Sequence, residues 1–201
     1  MKPKNRLIFC ATPLIIALLC SSAIAGKTHV HGVVKLNVAV ETREEITAFD
    51  GPKDGSKIRT KVSDVSIALE MPLDSLLGFE RAPRTDAERQ SAASAVVKIR
   101  DAKALFQFDS RAECEQNGEV VVKAPVLEPL SAASRPDNHH GDLEATYRFT
   151  CRKPPFLGRL DVRLFEAFRR VKRIEVQAAG PKGQKKMVLY PSSSVLLWPE
   201  P

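Results

Sequence analysis

Between Thr28 and Glu41 the chain alternates. Val30, Val34, Leu36, Val38 and Val40 fall on one side of the pattern, with Gly32 among them, and His29, His31, Lys35 and Asn37 fall on the other. A period of two built from β-branched residues reads as a half-buried strand. Side chains two apart in a strand leave the same face. His29 and His31 would therefore project together, about 6.5–7 Å apart at Cα, a separation at which two imidazoles can chelate one metal ion. Two of the chain's four histidines sit in this tripeptide.

What precedes the pattern is not part of the fold. Lys2, Lys4 and Arg6 are followed by an apolar run from Leu7 to Cys20 and by small residues at Ala23 and Ala25. This is the form of a secretory signal peptide over residues 1–25. The run is shorter than the ~20 apolar residues of a membrane-spanning helix, and no later stretch approaches that length. Cys20 is not read as a lipid-attachment site, because Leu19 before it is too large. The expected mature chain, residues 26–201, is one periplasmic domain with enough residues for a real core. The formal net charge of +7 loses three positive charges with the signal, and the remaining balance on an exported protein does not point to nucleic acid. The charge is uneven, however. Between Cys151 and Tyr190 eleven Lys or Arg face only Asp161, Glu166 and Glu175. Solvated strand faces account for such a run; docking to an acidic partner or an anionic membrane surface is the functional alternative.

The mature chain keeps two cysteines, Cys114 and Cys151. In an oxidising compartment such a pair reads as one disulfide, contributing about 4 kcal/mol by the chain-entropy estimate. They lack the close pairing of thiolate zinc sites.

Turn chemistry at Asp50-Gly51-Pro52-Lys53-Asp54-Gly55-Ser56 predicts a long polar hairpin loop spanning residues 42–61. A second strand through Val65, Ile67, Leu69 and Met71 then runs up to Pro72. Leu73 to Phe79 reads as a compact apolar turn. Thr85-Asp86-Ala87-Glu88 is a capping box, opening a helix from Asp86 to about Ala102 with Ala92, Ala95, Val96 and Ile99 as its buried stripe. Leu105, Phe106 and Phe108 cover an edge of the core. Further strands are expected at Glu119–Lys123, from Leu143 to Cys151, around Leu160 and Val162, and on both sides of Gly180-Pro181-Lys182-Gly183. Phe165 to Arg170 reads as a short helical turn. Residues 124–141 read as a long loop between strands, carrying His139 and His140. The expected class is α+β, an antiparallel sheet with one main helix.

Several stretches are similar to the ZrgA-like family, exported proteins of Gram-negative bacteria linked to zinc acquisition. They are His29-Val30-His31-Gly32, the run from Gly78 through Ala87 (GFERAPRTDA), Ala104-Leu105-Phe106, Tyr147 to Cys151 (YRFTC), Asp161 to Phe168 (DVRLFEAF), Ile174 to Gln177 (IEVQ) and Gly180 to Gln184 (GPKGQ). The resemblance implies a periplasmic accessory that binds zinc and hands it to an uptake system, with a membrane transport component as possible partner. Many members carry a long histidine-rich loop before the second cysteine. Here that loop keeps only His139 and His140, and Glu144, Arg148 and Thr150 stand where relatives tend to have histidines. The resemblance thus implies one or two zinc sites, not a buffer of many.

Zinc takes three or four N, O or S ligands. His29 and His31 would supply two, with His139, His140, Asp142 or Glu144 adding the rest. Binding should weaken below the ordinary histidine pKa of about 6.5, since each ligand nitrogen must be neutral. No nucleophile elbow, P-loop, dinucleotide fingerprint or H-E-x-x-H motif is present, so catalysis is not expected. A metal-free interaction module is the alternative.

Processing adds a test. Cleavage after Gly26, in place of Ala25, would make His29 the third residue. A free amine, two deprotonated amides and that imidazole form a square-planar set favouring Cu(II) or Ni(II) over zinc. Intact mass of the periplasmic protein decides. A Lys27 start with a square-planar Cu(II) d–d band assigns His29 to copper, and a Gly26 start leaves zinc alone.

Overall fold

The computed structural model describes residues 30–48, 57–127 and 141–197. The opening alternation does form a strand, β1 (Val33–Ala48), and it sits in the middle of the main sheet. Val34, Leu36, Val38 and Val40 are buried on its inner face. Its antiparallel neighbour β2 (Lys57–Pro72) matches it residue for residue, from Lys35 opposite Glu70 to Ala48 opposite Lys57.

The loop expected over residues 42–61 is therefore too long, because both strands run on through it. The polar residues there are cross-strand partners. The Thr42 and Ser63 hydroxyls lie 2.9 Å apart, and Arg43 Nε donates to Asp64 at 2.6 Å. Pairs of this kind stabilise a ladder where few apolar side chains are available. The turn residues 49–56 lie outside the described residues.

After β2 come α1 (Leu73–Leu77), capped by left-handed Gly78, and the main helix α2 (Asp86–Arg100). The capping box at α2 is complete: the Thr85 hydroxyl accepts from the Glu88 amide, and the Glu88 carboxylate accepts from the Thr85 amide. Ala92, Ala95 and Ile99 are buried as expected. The helix stops at Arg100, two residues short of the expected end, because Asp101 takes up a non-helical conformation. The Asp101 carboxylate caps a separate short helix, α3 (Ala102–Leu105), by accepting from the Ala104 amide.

Short strands β3 (Phe106–Phe108), β4 (Cys114–Gln116) and β5 (Val121–Lys123) lead to the long β6 (Asp142–Cys151), which pairs with β2. Both β4 and β5 lie along the other edge of β6. The connection from β5 to β6 is described only at its two ends, and its remainder, with His139 and His140, lies outside the described residues. Cys114 stands directly opposite Cys151, and the two form a disulfide with Sγ–Sγ 2.08 Å. β7 (Arg159–Val162) and α4 (Leu164–Ala167) precede the hairpin of β8 (Arg173–Gly180) and β9 (Gly183–Leu189), and β10 (Val195–Leu197) ends the described chain.

The main sheet has the order β4-β6-β2-β1-β8-β9, and a small sheet has the order β10-β7-β3. The fold is a β-rich α+β arrangement, but its sheet is mixed and not purely antiparallel. β1 and β8 run parallel, with Val34 beside Ile174 and Leu36 beside Val176. Parallel neighbours need a crossover connection, and the helices and two strands of the small sheet, β3 and β7, are inserted between β2 and β8, while its third strand, β10, follows β9. The inner faces of β1, β2, β6 and β8 bury against this layer, chiefly Ile99, Leu105, Phe106, Leu160, Val162, Leu164 and Leu196. Phe106 meets Tyr147 edge to face at 4.8 Å, and Phe108 meets Phe149 at 4.9 Å. Among the described residues no helix is long and apolar enough to cross a membrane.

Tyr147 is fully buried, and its hydroxyl donates to the Ile99 carbonyl at 2.8 Å. That bond ties the main helix to the sheet, and burial raises the phenol pKa by penalising its charged form. Tyr147→Phe leaves the Ile99 carbonyl without this donor. It is expected to cost about 1–3 kcal/mol in urea denaturation, the penalty of a buried unsatisfied acceptor, with the secondary structure unchanged.

A candidate metal centre at the entry to the first strand

His31 is not on the strand. The chain turns at His31 and Gly32, closed by a bond from the Val33 amide to the Val30 carbonyl at 3.1 Å. Gly32 has φ 78°, and a Cβ there would lie 2.7 Å from Lys172 Cγ and 3.2 Å from the Arg170 carbonyl. Only glycine fits both the left-handed backbone and the gap. The alternation therefore breaks at the residue where it mattered most for the histidine pair. His29 lies outside the described residues.

The turn is pinned to α1. The Gly32 amide donates to Ser75 Oγ at 2.9 Å in a buried bond. The Gly32 carbonyl accepts from the Lys172 and Arg173 amides at 2.8 and 3.1 Å. Held so, His31 keeps a ring that is 66% exposed, with a carboxylate on each side. Nδ1 is 2.8 Å from Asp74 Oδ2, and Nε2 is 3.7 Å from Glu80 Oε1. Asp74 comes from the first turn of α1. Glu80 comes from the segment between Gly78 and α2.

That segment is clamped in turn. The Arg81 guanidinium grips both Glu88 oxygens at 2.9 and 2.7 Å and lies 4.8 Å from the centre of the Phe79 ring. The Arg84 amide donates to the same carboxylate at 2.6 Å. One side chain of α2 thus closes the capping box and fixes the backbone beside Glu80.

A third stretch meets the same place. The Gly141 carbonyl accepts from the Leu73 amide at 2.7 Å. A Cβ on Gly141 would stand 2.5 Å from Leu73 Cδ1 and 3.0 Å from the Glu80 carbonyl. Gly141 immediately follows His139 and His140 in the sequence, and those two lie outside the described residues. Both histidine-bearing stretches of the chain therefore join the described fold at α1.

Other expected ligands stand elsewhere. Asp142 is half-buried at the start of β6, opposite Pro72. Glu144 is exposed on the open face of the sheet, opposite Glu70 and Lys123, and is not among the ion-pair contacts of His31. Among the described residues no three His, Cys, Asp or Glu side chains are already gathered around one point. The reason is geometric: Asp74 and Glu80 address opposite nitrogens of one ring. Sequence reasoning found His31 but not Asp74, which lies more than forty residues away on a short helix without a pattern of its own. Glu80 sits inside the GFERAPRTDA run, which was its only signal.

A sequence profile described as "ZrgA family zinc uptake protein" matches residues 57–198, well over half of the chain. The chain belongs to the ZrgA family. The match takes in Asp74, Glu80, Arg81 and Glu88, and it begins after His29 and His31. No curated protein matches the chain.

The clamp beside Glu80 gives a pH signature. The Arg81 guanidinium, helped by the Arg84 and Thr85 amides, holds the Glu88 carboxyl at about 2, down from its ordinary 4.5. A depressed acid stabilises the fold fully above its unfolded pKa, and the contribution is lost as pH falls toward the folded value. The thermal midpoint of wild type is expected to fall more steeply than that of Glu88→Gln between about pH 4.5 and pH 2. Parallel curves for the two proteins over that range would remove the clamp from the account.

Proposed function

We propose that this chain is an exported, non-catalytic accessory that binds one zinc ion at His31 and Glu80 and passes it toward an uptake system. The observation carrying this reading is the pair of contacts on the His31 ring. A metal-binding imidazole typically donates its other N–H to a carboxylate, which fixes tautomer and orientation. Asp74 is in position to accept from Nδ1 in this way at 2.8 Å. Nε2 is then left facing Glu80 Oε1 at 3.7 Å. Two ligands each 2.0–2.2 Å from a tetrahedral zinc stand about 3.4 Å apart. The observed gap is longer than a hydrogen bond and a few tenths of an ångström from that span, so a small side-chain rotation would close it around an ion.

The remaining ligands would come from His29, from His139 or His140, or from water. A site that keeps an exchangeable position suits transfer better than storage. Family membership supports zinc as the cargo, and the disulfide supports an oxidising compartment, the periplasm. Protons compete with the metal. Zinc ligands must be deprotonated to bind, so low pH should favour release.

Calorimetric titration of the mature protein with zinc at neutral pH is expected to give one site, or two at most. His31→Ala and Glu80→Gln should each weaken it at least tenfold, and Asp74→Asn by about 10–100-fold, as for an orienting carboxylate. His29→Ala and His139→Ala/His140→Ala would apportion the other ligands. Unchanged affinity in both His31→Ala and Glu80→Gln would falsify the site, and four or more ions per chain would contradict the single-site reading.

A further inference from the structure

The basic stretch near the C-terminus contributes to a concave feature beside α1. A cleft of about 610 Å³ lies between α1, one face of α2 and the turn after α4. The α2 wall is Ala87, Gln90, Ser91, Ser94, Ala95 and Lys98, of which Ala87, Ser91, Ser94 and Lys98 are spaced three and four apart and exposed. Residues at that spacing share one helix face. The small side chains leave the groove open along about 17 Å of helix, at 1.5 Å per residue. Leu76 and buried Phe168 add apolar surface.

The charge is one-sided. Lys98, Arg169 and Arg170 line the cleft, and no Asp or Glu does. All three cations are exposed. Among the described residues none of them forms an ion pair, whereas Arg43, Arg81, Arg111, Arg152 and Arg159 all do. The Arg170 guanidinium lies close over Gly78, its Cζ 2.7 Å from where a Cβ there would stand. Unpaired cations beside a partly apolar cleft favour an anionic occupant. The length of the groove would accommodate about five extended residues at 3.3 Å each, far more than one small anion needs. Its concavity suits a chain segment better than the plane of a membrane.

We propose that this cleft is the docking site for a short acidic segment of a partner protein, with apolar side chains set between its carboxylates. The segment would lie against α1, whose Asp74 contacts His31 and whose Ser75 holds Gly32. A partner docked there would stand beside the turn that carries His31, since Ser75 both lines the cleft and holds Gly32. The cleft does not depend on that centre, so its test is run in EDTA.

The probe is a fluorescent synthetic peptide alternating glutamate and leucine, titrated with the full mature protein and followed by anisotropy at physiological salt. Saturable binding is expected. Arg169→Glu and Lys98→Glu, on opposite walls, should each weaken it at least tenfold, and Ser94→Trp should do the same by filling the groove. Lys186→Glu on β9, an equal change of charge outside the cleft, should leave it within twofold. Circular dichroism identifies any variant that fails to fold, and the two charge reversals stand in for each other. The proposal is overturned by absence of saturable binding. It is equally overturned by equal losses in Arg169→Glu and Lys186→Glu, or by indifference to Ser94→Trp in a folded variant. Capture by phosphatidylglycerol vesicles that depends on Arg169 and Lys98, with no peptide binding, would reassign the cleft to lipid.

Discussion

β1 is hydrogen-bonded along both sides, antiparallel to β2 and parallel to β8. A parallel partner cannot be reached by a tight turn. The chain must leave the sheet after β2, pass across one face, and return before β8. Between β2 and β8 come α1, α2 and the β3 and β7 strands of the small sheet, as well as β4, β5 and β6 of the main sheet, and the apolar side of the helices and the small sheet covers Val34, Leu36, Val38 and their neighbours. The same excursion brings Asp74 and Glu80 to the entry of β1. The Gly32 carbonyl receives the Lys172 and Arg173 amides where the chain comes back, so the turn carrying His31 is held by both ends of the crossover.

Much of this was legible in the sequence, for reasons that can be named. Strands with one buried face write their period into the residues, and β1, β6 and β8 were read from it. Thr85 and Glu88 announced α2 because capping is a local bond between near neighbours. The parallel pairing of β1 with β8 leaves no such mark, since Val34 and Ile174 are buried alike whichever direction their strands run. The outer hairpin reads as loop because residues such as Thr42, Arg43, Glu44 and Glu45 are polar, and polarity there reflects cross-strand pairing of exposed residues. β4 and β10 are three residues each, too short to show any period.

The site was legible only in half. His31 stood out by residue type, but it was placed on a strand that begins two residues later. Gly32 could have warned of this, since a glycine within an alternating run often marks a bend. The carboxylates could not be found by spacing, because they are joined to His31 only through the tertiary path. Glu80 is present in the sequence only as one letter of the GFERAPRTDA run, and the structure supplies its physical context: Arg81 and Glu88 fasten the backbone next to it. Glu144, chosen for its place near the second cysteine, lies on the open face instead, because β6 alternates and the core takes Leu143 and Ala145.

The pairing of Cys114 with Cys151 has an evolutionary side. The disulfide locks an edge strand to β6 at fixed register, and Gly141 is separately fastened to Leu73. The stretch between Leu127 and Gly141 is thereby bracketed by anchors that do not depend on its own sequence. In general, doubling the length of a connection between fixed ends costs only about 0.6 kcal/mol in closure entropy. Lineages could therefore lengthen, shorten or restock this insert with histidines while the sheet stayed as it is. Metal capacity would become a trait adjusted by insertion and deletion, inherited apart from the scaffold that displays it.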